Sequence, residues 1–368
     1  MDAVRSEALT EADRLMTICN ACRYCEGLCA VFPAMEMRRT FLDGDLDYLA
    51  NLCHQCGACY TDCQYSPPHE FNVNVPASLA KLRNESYARY AWPGAFAGAF
   101  ARNGLTIMLL TAASVAAFIV GFVAVVDPAA LFARNAGDFY KVMPHNAMVG
   151  LFGAVSLYAI LAFWLSLRVF WRDINAGAPP AGVAAFGQAV ADTAHLKYLH
   201  GGGGGCTSES KEPSSARRIY HHLTFYGFMF CFASTSVATV YHYGFGWRAP
   251  YALISLPVVL GIIGGIGLLI GPAGLFVLSR QRDPVLIDTS RRDMNTAFIA
   301  MLFLTSLTGF ALMLLRDTGA MGVLLAVHLG VVLGLFLSLP YGKFVHGLYR
   351  FLALVKYASE RRHGTFVE

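Results

Sequence analysis

The sequence predicts an all-α membrane protein with a small cysteine-rich domain at its N-terminus. The chain of 368 residues is 56% apolar and only 14% charged, whereas roughly a quarter of the residues of a soluble domain are charged. Eight of the ten cysteines fall in two short repeats before residue 64, and long uncharged apolar runs begin after residue 102. We therefore expect a cysteine domain over residues 1–100 and a membrane domain over residues 101–368.

The two cysteine repeats predict iron–sulfur clusters. The first reads CNACRYCEGLC (residues 19–29) and the second CHQCGACYTDC (residues 53–63), and both have the spacing C-x2-C-x2-C-x3-C. This run binds [4Fe–4S] clusters in bacterial ferredoxins, where the fourth cysteine ligates the other cluster of a pair. The prediction is two [4Fe–4S] clusters with crossed ligands, one on Cys19, Cys22, Cys25 and Cys63, and one on Cys53, Cys56, Cys59 and Cys29.

Two other uses of cysteine fit this pattern less well. Zinc sites pair C-x2-C units at longer separation. Disulfides are typical of small secreted proteins, and residues 1–15 lack the apolar core of a signal peptide. Cys206 and Cys231 remain outside both repeats.

The segment between the repeats, RRTFLDGDLDYLANL (residues 38–52), has its apolar residues at helical spacing (Phe41, Leu42, Leu46, Leu49 and Leu52). Small ferredoxins have proline directly after the fourth cysteine, but Ala30 and Gln64 stand there in this chain. The domain therefore resembles the α-helical ferredoxin module of succinate dehydrogenase and heterodisulfide reductase relatives.

The rest of the chain predicts six membrane-spanning helices, because each apolar run reaches the roughly 20 residues that cross a bilayer. The fourth run contains Pro257 and Pro272 and reads GIIGGIGLLIGPAG, a small-residue face suited to close helix packing. The six runs are 104–126, 145–167, 219–242, 251–279, 294–315 and 321–342.

Charge bias predicts which side of the membrane the cysteine domain occupies. Loops 127–144, 243–250 and 316–320 carry four basic residues, and the other side carries the remaining 24 of the 28 Lys and Arg residues. The positive-inside rule then places both termini and the cysteine domain in the cytoplasm, with the chain in the inner (cytoplasmic) membrane. The net charge of +4 gives no indication of nucleic-acid binding.

The long loop 168–218 has two notable segments. Residues 182–199 are predicted to form a short amphipathic helix lying on the membrane. The run HGGGGGC (residues 200–206) follows no strand pattern, which argues against a phosphate-binding loop. It is either a flexible linker or a tight turn against a partner or cofactor.

Histidines in spans three and six predict haem ligands. His328 and His346 are 18 residues apart, which is five helical turns, so on one helix both rings share a face about 27 Å apart. His221 and His242 lie ~60° apart around span three, and His222 lies ~200° from His242. Because the two spans are antiparallel, His221 or His222 faces His346, and His242 faces His328. Helix geometry favours His221 over His222, because His221 lies nearer the face of His242. This arrangement predicts one or two b-type haems, each ligated by two histidines.

Two further observations bear on this prediction. Small residues between His221 and His242 are expected to leave room for a flat macrocycle (Thr224, Gly227, Cys231, Thr235 and Ala238). The alternative is that these histidines only cap helices or lie at the interface, as expected for His145. An ionisable residue inside an apolar span, such as His328, is nevertheless functional by default. His54 is expected to be a surface group, and the alternative is that, beside Cys53, it tunes the potential of a cluster by hydrogen bonding.

Several motifs carry a resemblance to known families. HLGVVLGLFLSLPYGKFVH (residues 328–346) resembles the ligand helix of the respiratory nitrate reductase haem subunit. The motifs LHGGGGGC, YHHLTFYG, ATVYHYGFGW and GGIGLLIGPAG resemble the tricarballylate-utilisation protein B (TcuB) family over nearly the whole chain. This resemblance implies an α-helical ferredoxin domain followed by a six-helix transmembrane b-haem bundle like the nitrate reductase gamma subunit.

The resemblance also implies a function. The family is the membrane partner of a flavin-dependent tricarballylate dehydrogenase, which oxidises tricarballylate to cis-aconitate and passes electrons through two [4Fe–4S] clusters and haem b to quinone. The chain has no G-x-G-x-x-G after a strand, so we expect no stand-alone dehydrogenase and assign no catalytic residue. No quinone site can be assigned, since Tyr220, Tyr226 and Arg350 near the cytoplasmic haem resemble ordinary interfacial residues.

Two alternative functions remain open. A quinol-oxidising subunit would deliver electrons to a cytoplasmic reductase of heterodisulfide or sulfur type. A transporter with a regulatory cluster domain would require charged residues inside the spans and repeated halves, and the sequence has neither.

Overall fold

The computed structural model describes residues 5–125, 128–176 and 180–363, and this part of the chain is all-helical as predicted. Its only β-type pairing is a single bridge between Cys206 and Ser214. The cysteine domain contains five helices, which are α1 (Glu7–Cys22), α2 (Val31–Glu36), α3 (Asp43–Leu52), α4 (Ala58–Thr61) and α5 (Val75–Arg89).

Caps fix where the helices around the cysteines begin and end. Ser6 caps α1 by accepting a hydrogen bond from the backbone N–H of Leu9, and Arg23 ends the helix in the left-handed conformation. In α3 the Asp45 side chain accepts from the N–H of Leu42, so the helix begins at Asp43. Leu42 is consequently 66% exposed, although the apolar spacing places it on the buried face.

Nine helices follow in the described part of the chain, and six of them are long and apolar enough to cross a membrane. The six predicted spans are thereby confirmed, with small differences at their ends. The nine are α6 (Asn103–Val125), α7 (Pro128–Phe132), α8 (His145–Ile174), α9 (Val183–Ala194), α10 (Ala216–Phe245), α11 (Leu256–Gln281), α12 (Arg292–Leu315), α13 (Met321–Ser338) and α14 (Val345–His363). The spanning helices are α6, α8, α10, α11, α12 and α13.

The last span ends earlier than predicted. Helix α13 stops at Ser338, a 3-10 turn covers Leu339–Tyr341, and α14 begins only at Val345. Pro340 lies in the turn and has no N–H with which to continue the helical ladder. The prediction that His328 and His346 share one face of a single helix is therefore wrong, because the two residues lie on different helices.

Small residues of α10 pack closely against α11. A Cβ atom on Gly264 would lie 2.7 Å from the backbone nitrogen of Cys231, and one on Gly271 would lie 2.6 Å from that of Thr224. The two helix backbones thus approach as closely as small residues permit. The close packing predicted for the glycine-rich fourth span is confirmed, and Gly227 and Cys231 of α10 take part in it, whereas Thr224 also lines the cavity described below.

Helix α14 joins the membrane domain to the cysteine domain. Its Tyr349 contacts Tyr87 of α5 and Phe170 of α8 through ring contacts with centroids 5.5 and 4.7 Å apart. Its Glu360 accepts hydrogen bonds from Arg38 and Tyr48. One hydrophobic core therefore runs from the cysteine helices into the ends of the membrane helices.

Candidate functional site

The first cysteine cluster of the site, which we name the outer thiol group, combines both repeats. Cys19 and Cys22 lie in the last turns of α1, Cys25 lies in the turn after it, and Cys63 follows α4. All four line a small hollow of about 30 Å³. Burial raises the pKa of the Cys19 thiol to about 12, and the thiolates of Cys25, Cys63 and Cys22 add to that rise. The structure thus brings Cys63 to the first repeat.

The second cluster, the inner thiol group, consists of Cys53, Cys56, Cys59 and Cys29. Burial raises the pKa of the Cys29 thiol, and the nearby Cys56 and Cys53 thiolates raise it further. The pKa of Cys59 is raised in the same way by burial and then by Cys56, Cys29 and Cys53. Cys29 therefore lies with the second repeat, which is the crossed arrangement that the ferredoxin spacing predicts.

The two groups adjoin, and their donor chemistry fits iron–sulfur clusters. Cys59 of the inner group also lines the hollow of the outer group. Within residues 5–125, 128–176 and 180–363, no three His, Cys, Asp or Glu side chains are placed to hold a single metal ion. Four soft thiolates around a hollow suit a polynuclear cluster, whose irons neutralise the repulsion between them.

The glycine run (residues 201–205) lies against the inner thiol group. Gly201 and Gly202 have positive φ angles of 51° and 73°, a conformation that favours glycine. A Cβ atom on Gly201 would lie 4.0 Å from the sulfur of Cys56, and the N–H of Thr207 donates to the carbonyl of Cys56 at 2.7 Å. Of the two interpretations of this run, the structure supports a tight turn against the cysteine segment.

A second site, the histidine cavity, lies between the inner thiol group and the membrane helices. It has a volume of about 560 Å³ and is lined by His54, His221 and His346. The rings of His221 and His346 are neighbours in an edge arrangement, with centroids 6.2 Å apart and planes at 73°. His222 instead contacts Tyr226, so His221 is the histidine of span three that faces His346.

Imidazole geometry in this cavity fits ligation of one metal from both sides. Because a metal–imidazole bond is about 2.0 Å long, two imidazoles on opposite sides of one metal have ring centres roughly 6 Å apart. The Nδ1–H of His346 donates to the carbonyl of Lys343 at 2.5 Å, which leaves its Nε2 as the lone-pair nitrogen. Nδ1 of His221 is buried without a hydrogen-bond partner. A haem-sized cavity with this pair fits b-type haem.

Buried positive charge surrounds the cavity. Burial and the nearby Arg217 guanidinium lower the pKa of Arg282 to about 9. Burial and Arg83 likewise lower the pKa of Arg350 to about 10. The cavity therefore suits an anionic group such as haem carboxylates. Its basic lining residues are Arg83, Arg217, Arg282, Arg292, Lys343 and Arg350, and its acidic ones are Asp192, Glu209 and Asp288.

The histidines at the opposite end of the bundle are arranged differently from the prediction. His242 stacks on His145, with ring centroids 3.9 Å apart and planes at 21°. His328 shares a hydrogen bond of 3.0 Å between its Nδ1 and the Thr308 hydroxyl. Among the described residues, the aromatic contacts of His242 are with Tyr140, His145 and Tyr243. The histidine that contacts His242 is therefore His145, whereas the prediction was His328.

Sequence reasoning missed most of the cationic lining. The sequence held a signal for two of these residues. Arg217 precedes His221 by four residues and Lys343 precedes His346 by three, so each is spaced about one helical turn from a predicted ligand. Arg350 was noted and does line the cavity. Tyr226 lies outside it and donates to the carbonyl of Ala194.

Comparison with known proteins gives the family. Residues 12–89 match a family model described as the citrate utilization protein B Fer4-like domain, and residues 98–365 match citrate utilization protein B. The Escherichia coli protein named citrate utilization protein B is 48% identical over 363 residues, which are 98% of this chain and 95% of that relative. No solved structure matches. The family resemblance is confirmed: the chain belongs to the citrate utilization protein B family, with a Fer4-like domain before its membrane helices.

Proposed function

We propose that the chain is a membrane electron-transfer subunit that passes electrons from a partner flavin dehydrogenase, through two [4Fe–4S] clusters and haem b, to the quinone pool. Iron–sulfur clusters and haem supply one-electron transfer when bound. The observation that carries the proposal is the succession of ligand sets. The outer thiol group adjoins the inner one through Cys59, and the inner group adjoins the histidine cavity.

The second junction is made by direct contacts. Arg350, one turn after His346 on α14, donates to the carbonyl of Cys53 at 2.8 Å. His54, the neighbour of Cys53 in the chain, lines the histidine cavity and hydrogen-bonds through Nδ1 to the carbonyl of Leu52 at 2.9 Å. Residues that contact the inner thiol group therefore also line the histidine cavity.

The role of each residue follows from its chemistry. The eight thiolates would hold the two clusters, and His221 and His346 would hold one haem. The carbonyl of Lys343 fixes the tautomer of His346, and the cationic lining balances the haem carboxylates. The ring geometry supports one haem on the thiol side. The second haem, between His242 and His328, has no such support.

The partner and its substrate are inferred from the family. The Escherichia coli relative is named for citrate utilization, and the motifs resemble the tricarballylate family. Both substrates are tricarboxylates, so we propose a flavin dehydrogenase that acts on a tricarboxylate. The charge bias of the loops supports a thiol domain on the cytoplasmic side of the inner membrane.

Cofactor analysis and a reconstituted assay test this function. Anaerobically purified protein is expected to contain about eight non-haem irons and as many sulfides, together with haem b. Tricarballylate-dependent quinone reduction is expected only after the flavin dehydrogenase is added. Quinone reduction by this chain alone, or a preparation without iron and sulfide, would contradict the proposal.

A further inference from the structure

Four arginines converge on one short stretch of backbone in the inner thiol group. Arg83 donates to the carbonyl of Cys53 and to the side-chain oxygen of Gln55, each at 2.6 Å. Arg350 donates to the same Cys53 carbonyl at 2.8 Å. Arg217 and Arg282 donate to the carbonyl of Gln55 at 2.7 and 3.1 Å. We name these four residues the arginine clamp.

The positive charge of the clamp is only partly balanced by protein. Glu209 is the nearest carboxylate, and its Oε1 lies 4.0 Å from Nε of Arg217 and 3.9 Å from Nε of Arg282. Nε of Arg83 is buried without a hydrogen-bond partner. Burial weakens solvent screening, and the four guanidinium groups donate to the Cys53–Gln55 segment, so their charge acts on whatever the inner thiols hold as well as on the histidine cavity.

The outer thiol group has no comparable buried charge, because among the described residues no Lys, Arg, Asp or Glu side chain lines its hollow. Two carboxylates lie next to its cysteines in the chain, Asp62 before Cys63 and Glu26 after Cys25, and both are exposed to solvent. Arg23, between Cys22 and Cys25, is exposed as well, so solvent screens all three of these charges. The two thiol groups thus have the same ligands but different surrounding charge.

We propose that the arginine clamp makes the inner cluster the more oxidising of the two, so that an electron on the outer cluster moves inward toward the histidine cavity. A cluster gains one negative charge on reduction, and neighbouring positive charge stabilises that form and raises the reduction potential. In the step itself the outer cluster loses one electron and the inner cluster gains it, with no bond broken and no proton moved. This inference rests on the proposed function, because it requires both clusters.

EPR-monitored redox titration of the purified full-length protein tests the clamp. The Arg83→Gln variant is expected to have a midpoint potential of the inner cluster that is lower by about 59 mV. At a fixed potential, the ratio of reduced to oxidised inner cluster then falls about tenfold. The outer cluster keeps its midpoint. The matched control is Lys81→Gln, which removes an exposed charge from the same helix and leaves both midpoints unchanged. The Arg83→Lys variant keeps the positive charge, so the midpoint potential of its inner cluster is expected to stay close to the wild-type value.

Further outcomes separate the clamp from the function. If the Arg83→Gln variant also loses the EPR signal of the outer cluster, the domain has misfolded. The same titration is then made on the Arg217→Gln variant, because Arg217 is only partly buried. Two clusters with unchanged midpoints in the folded glutamine variants would overturn the role of the clamp while leaving the electron-transfer function intact. Wild-type protein without two clusters would instead overturn the function.

Discussion

At the scale of single residues, the histidine cavity distinguishes neighbours that the sequence cannot. His221 and His222 are adjacent on α10, yet only His221 has its ring 6.2 Å from that of His346. The sequence favoured His221 because of its angle to His242 around the helix. In the structure the reason is different: α14 brings His346 next to His221. The choice of His221 agrees with the prediction, although the predicted continuous helix does not exist.

Replacing His346→Ala or His221→Ala is expected to abolish the haem of the cavity, because each variant removes one of two facing ligands. His222→Ala serves as the control and should keep wild-type haem content, since its ring contacts Tyr226 outside the cavity. Haem per chain and reduced-minus-oxidised spectra measure the result. Loss of haem in His222→Ala with retention in His221→Ala would contradict this assignment.

The crossed thiol groups make a second prediction at this scale. Cys63→Ser should damage the cluster of the outer group, and Cys29→Ser that of the inner group, because each cysteine lies with the other repeat. EPR of the two variants distinguishes the clusters. Damage confined to the cluster that is built on the variant's own repeat would show that the ligands are not crossed.

At the scale of elements, the sequence predicted the helices well and their junctions poorly. Six apolar runs and two spaced cysteine repeats are local patterns, so they identify α6, α8, α10 to α13 and the thiol groups. The break after Ser338 depends on Pro340 and on docking of α14 against the cysteine domain. The turn formed by the glycine run likewise depends on its packing against Cys56, about 145 residues earlier in the chain. Such long-range contacts are not visible in a single sequence.

The glycine run offers a prediction for this scale. Gly205 has φ of 123°, and a Cβ atom there would lie 2.7 Å from the backbone nitrogen of Ser214, so Gly205→Ala should strain the turn by about 1–3 kcal/mol. The turn would then cover the inner thiol group less tightly, and its cluster should bleach faster in air. Gly204→Ala is the control, because its nearest neighbour would be 4.0 Å away. Equal bleaching rates would show that the run does not shield the cluster.

At the scale of the whole molecule, the cysteine domain is held on the bundle by α14 rather than by a flexible linker. The buried core extends from Leu49 and Tyr87 to Tyr349 and Tyr357. A polar network lies within the same contact, where Glu360 binds Arg38 at 2.5 Å and Lys356 at 2.9 Å. The distance from the inner thiols to the histidine cavity is therefore fixed by packing, which electron transfer through the chain requires.

Glu360→Gln tests that fixed contact. Arg38 and Lys356 would be left buried with less compensating charge, and breaking a buried ion pair costs about 3–5 kcal/mol. We expect the cysteine domain to separate from the bundle at a lower temperature, so that cluster absorbance is lost before the haem spectrum changes. Glu11→Gln is the matched control, because its pair with Arg14 is solvent-exposed and contributes at most about 1 kcal/mol. A Glu360→Gln protein that loses cluster and haem together at the wild-type temperature would show that α14 does not hold the two domains together through this network.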